Sequence, residues 1–460
     1  MKNGAVAVQA FDSTLKDMRP DAKRADERKR VKEQVGNWIQ LQHDDNHRRT
    51  TSEQFVGRRA GRRDLVQFEA VENKGADTFV VSGQFLITGE HYGALEDEQQ
   101  ALIKKLGLVA APVPGLGKAV YTLDATPESI SGIRNRTASV GKQLVAAGVP
   151  VRHSYVTPLG MVRKAQGGPE NSSWAQQKPA VAVSGPRVAV VDTGVSTEQR
   201  ADGWLNGLLR NDNVDLLDVI PQPTDNRLDL GAGHGSFVAG VVQQVAPGAD
   251  LRVYQALDTD GAAAETTVAA AIVTAVQDGA KILNLSFGTD TLEVDPPLSL
   301  RVAIEQAIAI DNEVLIVCAA GNTGDTRQVW PASFRTDFPN NVVSVAALGI
   351  DETTGKVAGA DWSTHGNVTC STLGEGVVST YVIGTESHAA DQQGPDTFGP
   401  ESWATWSGTS FAAPQVVGAV TKVMQDPQHS GKTPLEALGV VLQKATSITD
   451  YGKAIVILPA

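Results

Sequence analysis

The sequence predicts an α/β protein in which a parallel sheet carries helices on both faces, preceded by a small α+β domain. Three observations predict it. From Arg187 onward short apolar runs alternate with helical stretches, the alternation that a helix-covered parallel sheet produces. Ahead of them, residues 77–163 read strand, helix, strand, strand, helix, strand. Between the two, residues 164–179 are rich in Gln, Gly, Pro, Asn and Ser, a linker by composition. The expected organisation is a charged, partly helical N-terminal extension at 1–76, an α+β domain at 77–163, a linker at 164–180 and the α/β domain at 181–460.

The extension opens polar and basic. Residues 1–63 hold 15 Lys and Arg against 9 Asp and Glu. A helical pattern between Pro20 and Gln42 sets Val31, Val35, Trp38, Ile39 and Leu41 mostly on one face. Two basic pairs follow, Arg58-Arg59 and Arg62-Arg63. This reads as a solvated helix with a flexible tail, or as a docking arm for an acidic partner or a cleavable extension.

The α+β domain takes its strands from 78–88, 108–111, 118–123 and 149–156. Its helices are 94–106 and a second from about Pro127 to Ala147, capped by Thr126 and stopped at Gly148. The order βαββαβ matches a ferredoxin-like unit; an unrelated α+β binding domain has the same pattern.

Within the α/β region, Arg187-Val188-Ala189-Val190-Val191 is a buried-strand run that ends in Asp192. Open α/β sheets place their sites at such strand ends. His234 sits between two glycines at the head of a helix of small residues. The apolar strand 314–319 leads through Ala320 and Gly321 to Asn322, whose amide can donate to an oxyanion. In Gly408-Thr409-Ser410-Phe411-Ala412-Ala413-Pro414 the serine stands at a helix start, where unpaired N–H groups favour negative charge. Further strands are expected at 251–257, 282–288 and 342–347, with helices at 266–278 and 300–311. Taken singly, Asp192 reads as a turn cap, His234 as a loop histidine, Asn322 as a turn residue and Ser410 as an N-cap. Their joint order is what carries chemistry.

In that order the four motifs resemble the subtilisin-like serine protease family, over roughly Arg187 to Met424. The resemblance implies an Asp192–His234–Ser410 triad, with Asn322 and the Ser410 N–H meeting the oxyanion. It implies that Ser286, Phe287 and Gly288 pair with an extended substrate backbone, with a second wall at 257–261. Ala319, Ala320 and Gly321 would line the pocket for an uncharged residue before the cut. It also implies that the α+β domain is a propeptide-type chaperone and inhibitor, cut between about Thr157 and Ser173. Departures are Phe237 where the family usually has a second histidine, Ser236 for the usual threonine, and Leu373-Gly374-Glu375-Gly376 for Ala-Pro-Gly. Ala262-Ala263-Ala264 replaces a glycine-rich edge and is expected to narrow the cleft. Many members bind calcium; no ligand set is legible here, so no cofactor or metal site is assigned.

Composition bounds the rest. The formal net charge of −12 argues against general nucleic-acid affinity. The two cysteines, Cys318 and Cys370, form no disulfide framework, and Cys318 lies in an apolar strand as a core residue. No signal-peptide core and no stretch of about 20 apolar residues is seen, so a cytoplasmic protein with no membrane partner is expected. The expected partners are a protein or peptide substrate and the chain's own N-terminal domain. The alternatives are a silent peptide-binding member of the fold and an esterase or amidase.

Overall fold

The structure, a computed structural model, describes residues 9–10, 29–33, 35–36, 44–59, 62, 64–73, 75–159, 168–175, 177–179, 185–220, 224–350, 356–388 and 394–458. Most of the helix expected between Pro20 and Gln42, and much of the stretch expected to be cut, lie outside the described residues.

Helix α1 (Asp45–Arg58) leads into a five-stranded antiparallel sheet. Its strands are β1 (Phe68–Asn73), β2 (Ala76–Thr88), β3 (Leu108–Val113), β4 (Gly117–Ala125) and β5 (Arg152–Tyr155). The four strands read from 77–163 lie side by side as β5-β2-β4-β3, every neighbour antiparallel. Strand β1 falls in the stretch assigned to the charged extension. It pairs with β2 from Phe68↔Val81 to Asn73↔Ala76 and buries Phe68. Helices α2 (Asp97–Lys105) and α3 (Thr137–Ala146) pack Ile103, Val140 and Leu144 against Phe85, Ile87 and Leu123.

The single helix expected from Pro127 to Ala147 is two pieces, Ile130–Ile133 and Thr137–Ala146. Asn135 between them is left-handed, at φ 61°. Buried Glu69 of β1 sets the restart: it accepts from the Thr137 N–H at 3.1 Å and the Thr137 hydroxyl at 2.5 Å. A carboxylate thus satisfies one of the orphan N–H groups at the start of α3. That partner is 68 residues away, so no local signal announces it.

The second sheet is built from β6 (Arg187–Asp192), β7 (Asp250–Gln255), β8 (Ile282–Leu285), β9 (Leu315–Ala319), β10 (Val342–Ile350), β11 (Cys370–Leu373) and β12 (Gly452–Val456). They lie parallel in the order β7-β6-β8-β9-β10-β11-β12. The two-residue strand Gln9–Ala10 adds an antiparallel edge to β12. The order reverses between β6 and β8, which makes that crevice the switch point where such sheets hold their ligands.

Both faces of the sheet are buried, and the alternation of side chains explains how. Val188, Val190, Leu315 and Val317 point to helices α4 (His234–Val245) and α7 (Thr409–Gln425). Ala189, Val191, Ile316 and Cys318 point to α5 (Glu265–Gln277) and α6 (Leu298–Ile310). The expected strand 282–288 stops at Leu285, because the chain there leaves the sheet to wall the crevice.

The N-terminal sheet rests on the second domain through β2, β5 and the loop around 290–296. Thr78 Oγ1 donates to Asp290 at 2.8 Å, Arg152 faces Asp295 at 3.3 Å, and His153 and the Tyr155 hydroxyl both bond Glu293. Beneath β5, fully buried Glu265 accepts from the Tyr155 N–H at 2.9 Å and the Ser299 N–H at 2.8 Å. Burial pushes its carboxyl up to about 8, against the pull of the Ser299 and Leu300 N–H bonds. An acid raised above its unfolded value of 4.5 adds stability that is complete below the unfolded value and lost as the pH rises through the folded one. We therefore expect Glu265→Gln to flatten the fall in thermal stability between about pH 5 and 8. Parallel stability curves for the two proteins would contradict this.

Part of the extension is also docked. Val31 and Val35 are buried against Ala347, Ala360 and Trp362, and Lys32 reaches Glu375 at 2.5 Å. The reading of a wholly solvated helix does not hold for these residues; the apolar face predicted for them has found a core.

Candidate active site

Asp192 ends β6 beside the switch point and is fully buried. Its Oδ1 accepts from the Thr193 N–H at 2.8 Å and lies 2.7 Å from His234 Nδ1. A carboxylate oxygen only accepts, so Nδ1 carries the proton and Nε2 is left as the acceptor.

Two glycines place His234 at the first position of α4. Gly233 is left-handed at φ 76°, and a Cβ on Gly235 would stand 2.2 Å from the Gly194 carbonyl oxygen. A side chain at Gly235 would push the helix start away from the end of β6, and one at Gly233 would meet Tyr381 and Val382 in a backbone conformation that favours glycine. The ring is held among Trp406, at 5.4 Å between centroids, and Phe411, at 5.3 Å. Phe237, the departure from the family pattern, stacks into the same cluster 4.5 Å from Phe411.

Ser410 is the second residue of α7. Pro414 lacks the N–H that would close the helical bond to the Ser410 carbonyl. That carbonyl instead accepts from Ser286 Oγ at 2.8 Å, and Ser286 Oγ accepts from Asn284 Nδ2 at 2.8 Å. In return Ser410 Oγ donates to the Ser286 carbonyl at 3.1 Å. Among the described residues it makes no hydrogen bond to His234. Ser286, expected to meet substrate, thus also holds the serine from below.

Asn322 follows left-handed Gly321, whose N–H donates to Thr409 Oγ1 at 3.1 Å. Asn322 Oδ1 accepts from the Thr409 N–H at 3.0 Å and the Thr409 hydroxyl at 2.9 Å. With the oxygen committed twice, Nδ2 takes the other branch of the amide. It stands 3.7 Å from where a Cβ on Gly408 would be.

The expected substrate residues frame the same crevice. Phe287 is buried in the core under α5, Ala319 and Ala320 are buried behind Asn322, and Gly321 is half-buried. The Gly288 N–H donates to the Pro158 carbonyl at 3.1 Å. On the other side Leu159 donates to the Gly261 carbonyl and Thr157 to the Ala263 carbonyl, both at 2.9 Å. Val156 bridges Ala264 in antiparallel sense. Residues 156–159 of this chain therefore lie as a strand between the two walls. The alanines at 262–264 were expected to narrow the cleft; they pair with a backbone all the same, because their side chains alternate away from the edge.

The sequence reading missed Asp215, Thr193, Trp406 and Phe411 around the histidine. It also missed Arg59, whose guanidinium is fully buried on Asp260 and Asp258 beside this crevice. Their roles depend on partners distant in sequence, although Arg59 belongs to a basic pair and Phe411 to the serine motif noted above. Among the described residues no three His, Cys, Asp or Glu side chains gather to hold a metal, and no helix is long and apolar enough to cross a membrane. Cys318 and Cys370 are both free and buried.

The fold is that of a parallel α/β protein with a serine at a helix start beside the switch point of its sheet. The chain belongs to the subtilase family, whose sequence model matches residues 183–455, and it is a serine-type endopeptidase by that membership. It is 28% identical to thermitase of Thermoactinomyces vulgaris over 272 residues, 55% of this chain and 80% of thermitase. It is 28% identical to subtilisin BL of Lederbergia lenta, over 59% of this chain and 89% of that protein. The crystal structure of fervidolysin from Fervidobacterium pennivorans, a keratinolytic enzyme related to subtilisin, shares the fold. Its TM-score is 0.55 at 20% identity, over 82% of this chain and 60% of that one.

Proposed function

We propose that this chain cleaves peptide bonds through Asp192, His234 and Ser410. The observation that carries the proposal is the buried 2.7 Å contact between His234 Nδ1 and Asp192, one helix start away from Ser410. Rotation about χ1 moves the Ser410 hydroxyl from the Ser286 carbonyl toward Nε2. Nε2 takes the hydroxyl proton as the oxygen attacks the peptide carbonyl, and Asp192 stabilises the imidazolium. The tetrahedral oxyanion accepts from Asn322 Nδ2 and the Ser410 N–H. Its collapse expels the amine, which leaves with the proton from His234. Water then repeats the sequence on the acyl-enzyme.

We propose further that the N-terminal region regulates this site by occupying its groove. Residues 156–159 pair with both walls as an extended substrate does, which supports a cut just beyond Leu159. That lies inside the window expected from the sequence.

A fluorophosphonate probe tests the first part: it labels the protein, and labelling vanishes in Ser410→Ala. A labelled protein that leaves a peptide library uncut is an esterase or amidase, and an unlabelled processed protein is a silent peptide binder. Intact mass tests the second, with a new N-terminus expected one or two residues after Leu159; a cut outside the window removes the proposed register.

A further inference from the structure

A carboxylate that the catalytic chemistry does not use lies behind the Asp192–His234 pair. Asp215 is buried, and among the described residues its hydrogen-bond donors are neutral N–H and O–H groups. Its Oδ2 accepts from the Gly233 N–H at 2.8 Å and from Thr193 Oγ1 at 3.0 Å. Its Oδ1 accepts from the Leu217 N–H at 3.1 Å. Thr193 Oγ1 in turn accepts from the Gly235 N–H at 3.0 Å.

These bonds reach the residue just after Asp192 and the residues on either side of His234. The segment carrying Asp215 is itself laced to the chain after Asp192, with Val195 N–H on the Asn213 carbonyl and Asp215 N–H on the Val195 carbonyl, both at 2.8 Å. Gly194 leaves the room for this: a Cβ there would meet the Asn213 oxygen at 2.5 Å. A buried carboxylate is a costly way to satisfy three donors. Three bonds from three separate segments fix its direction. Burial holds the Asp215 carboxyl up at about 6, opposed by the Gly233 and Leu217 N–H groups and the Thr193 hydroxyl.

We infer that Asp215, acting through Thr193, is a positioning residue of the hydrolytic site that fixes the distance and angle between Asp192 and His234. It touches neither substrate nor the reacting atoms. The inference rests on the triad reading above.

The test compares Asp215→Ala, Asp215→Asn and Thr193→Val with the wild type, each made as the full chain. The first readout is the far-downfield proton resonance of the hydrogen bond between His234 Nδ1 and Asp192. The second is the rate of fluorophosphonate labelling and the split between kcat and KM on a peptide. Asp215→Ala should weaken or abolish the resonance and slow labelling about 10- to 100-fold, the scale of a small misplacement of reacting groups. KM should move less than about twofold, since uniform binding is untouched. Asp215→Asn keeps one acceptor for Gly233 and Thr193 and should recover most of the loss. Thr193→Val keeps the carboxylate and breaks only the relay to Gly235, so it remains informative if Asp215→Ala does not fold; it should slow labelling about tenfold. A normal resonance and normal labelling in folded Asp215→Ala or in Thr193→Val overturn the inference. So does an equal loss in the Ala and Asn variants. An unlabelled wild type would overturn the triad reading instead, and the resonance would still report on the clamp.

Discussion

Replacing Ser410 with alanine is expected to lower kcat for peptide hydrolysis on the order of 10⁶-fold, the scale seen in subtilisin when its nucleophile or base is removed. His234→Ala should lose nearly as much, and the double variant should be no worse than either. In the proposed mechanism the groups act in one proton transfer: the hydroxyl is a weak nucleophile without Nε2, and Nε2 has nothing to activate without the hydroxyl. The folded structure should survive. Among the described residues Ser410 Oγ makes one hydrogen bond, to the Ser286 carbonyl, worth about 1 kcal/mol net. Steady-state kinetics on the processed protein measure the effect, with circular dichroism as the control. A folded Ser410→Ala protein within tenfold of wild-type kcat would put the chemistry elsewhere.

Arg59→Ala should loosen the N-terminal region from the groove and raise hydrolysis of a short peptide by the uncut chain about 100-fold. Arg59 donates through Nε to Asp260 at 2.7 Å, faces Asp258 at 2.9 Å and donates to the Ala262 carbonyl at 3.2 Å. Its guanidinium lies 4.2 Å from the centre of the Phe68 ring. Phe55 of α1 packs on Phe68 and Phe79, and this small core reaches Val156, Ala262 and Ala264 at the groove edge. Truncating the arginine strands buried Asp260 without its cation, a break that costs about 3–5 kcal/mol, enough for a 100-fold shift in docking. The comparison needs a chain that cannot cut itself before the assay, so early time points before the mass changes are used. Unchanged initial rates in a folded Arg59→Ala protein would leave the extension with a structural role only.

The basic pairs of the extension read first as part of a solvated, flexible segment, with a docking arm as the sharper alternative. Arg59 finds its acidic partner inside the same chain, 201 residues away. The alanine edge at 262–264 read as an obstruction, and a strand pairs there. Both outcomes turn on which surfaces meet, which neither composition nor spacing encodes.

Much of the rest was legible. The strands β6, β8, β9 and β10 were visible because a run buried on both faces is apolar at nearly every position, a property of the run itself. Asp192, His234, Asn322 and Ser410 were visible because each stands at a strand end or helix start marked by its own neighbours, Gly194, Gly233, Gly321 and Gly408. Local backbone geometry and side-chain periodicity are nearest-neighbour effects, so the amino-acid order alone determined the α/β class and singled out the four candidate residues; it did not show that the stretch expected as a linker carries a strand, Glu170–Ser172, paired antiparallel with Trp403, Ala404 and Thr405. The tertiary structure alone decided what lies around them: Asp215 behind Thr193 and Gly233, Ser286 beneath Ser410, Glu69 at the head of α3, and residues 156–159 in the groove. Those contacts join segments tens to hundreds of residues apart, and hydrogen bonds only a few ångströms long form between them once the sheets have stacked.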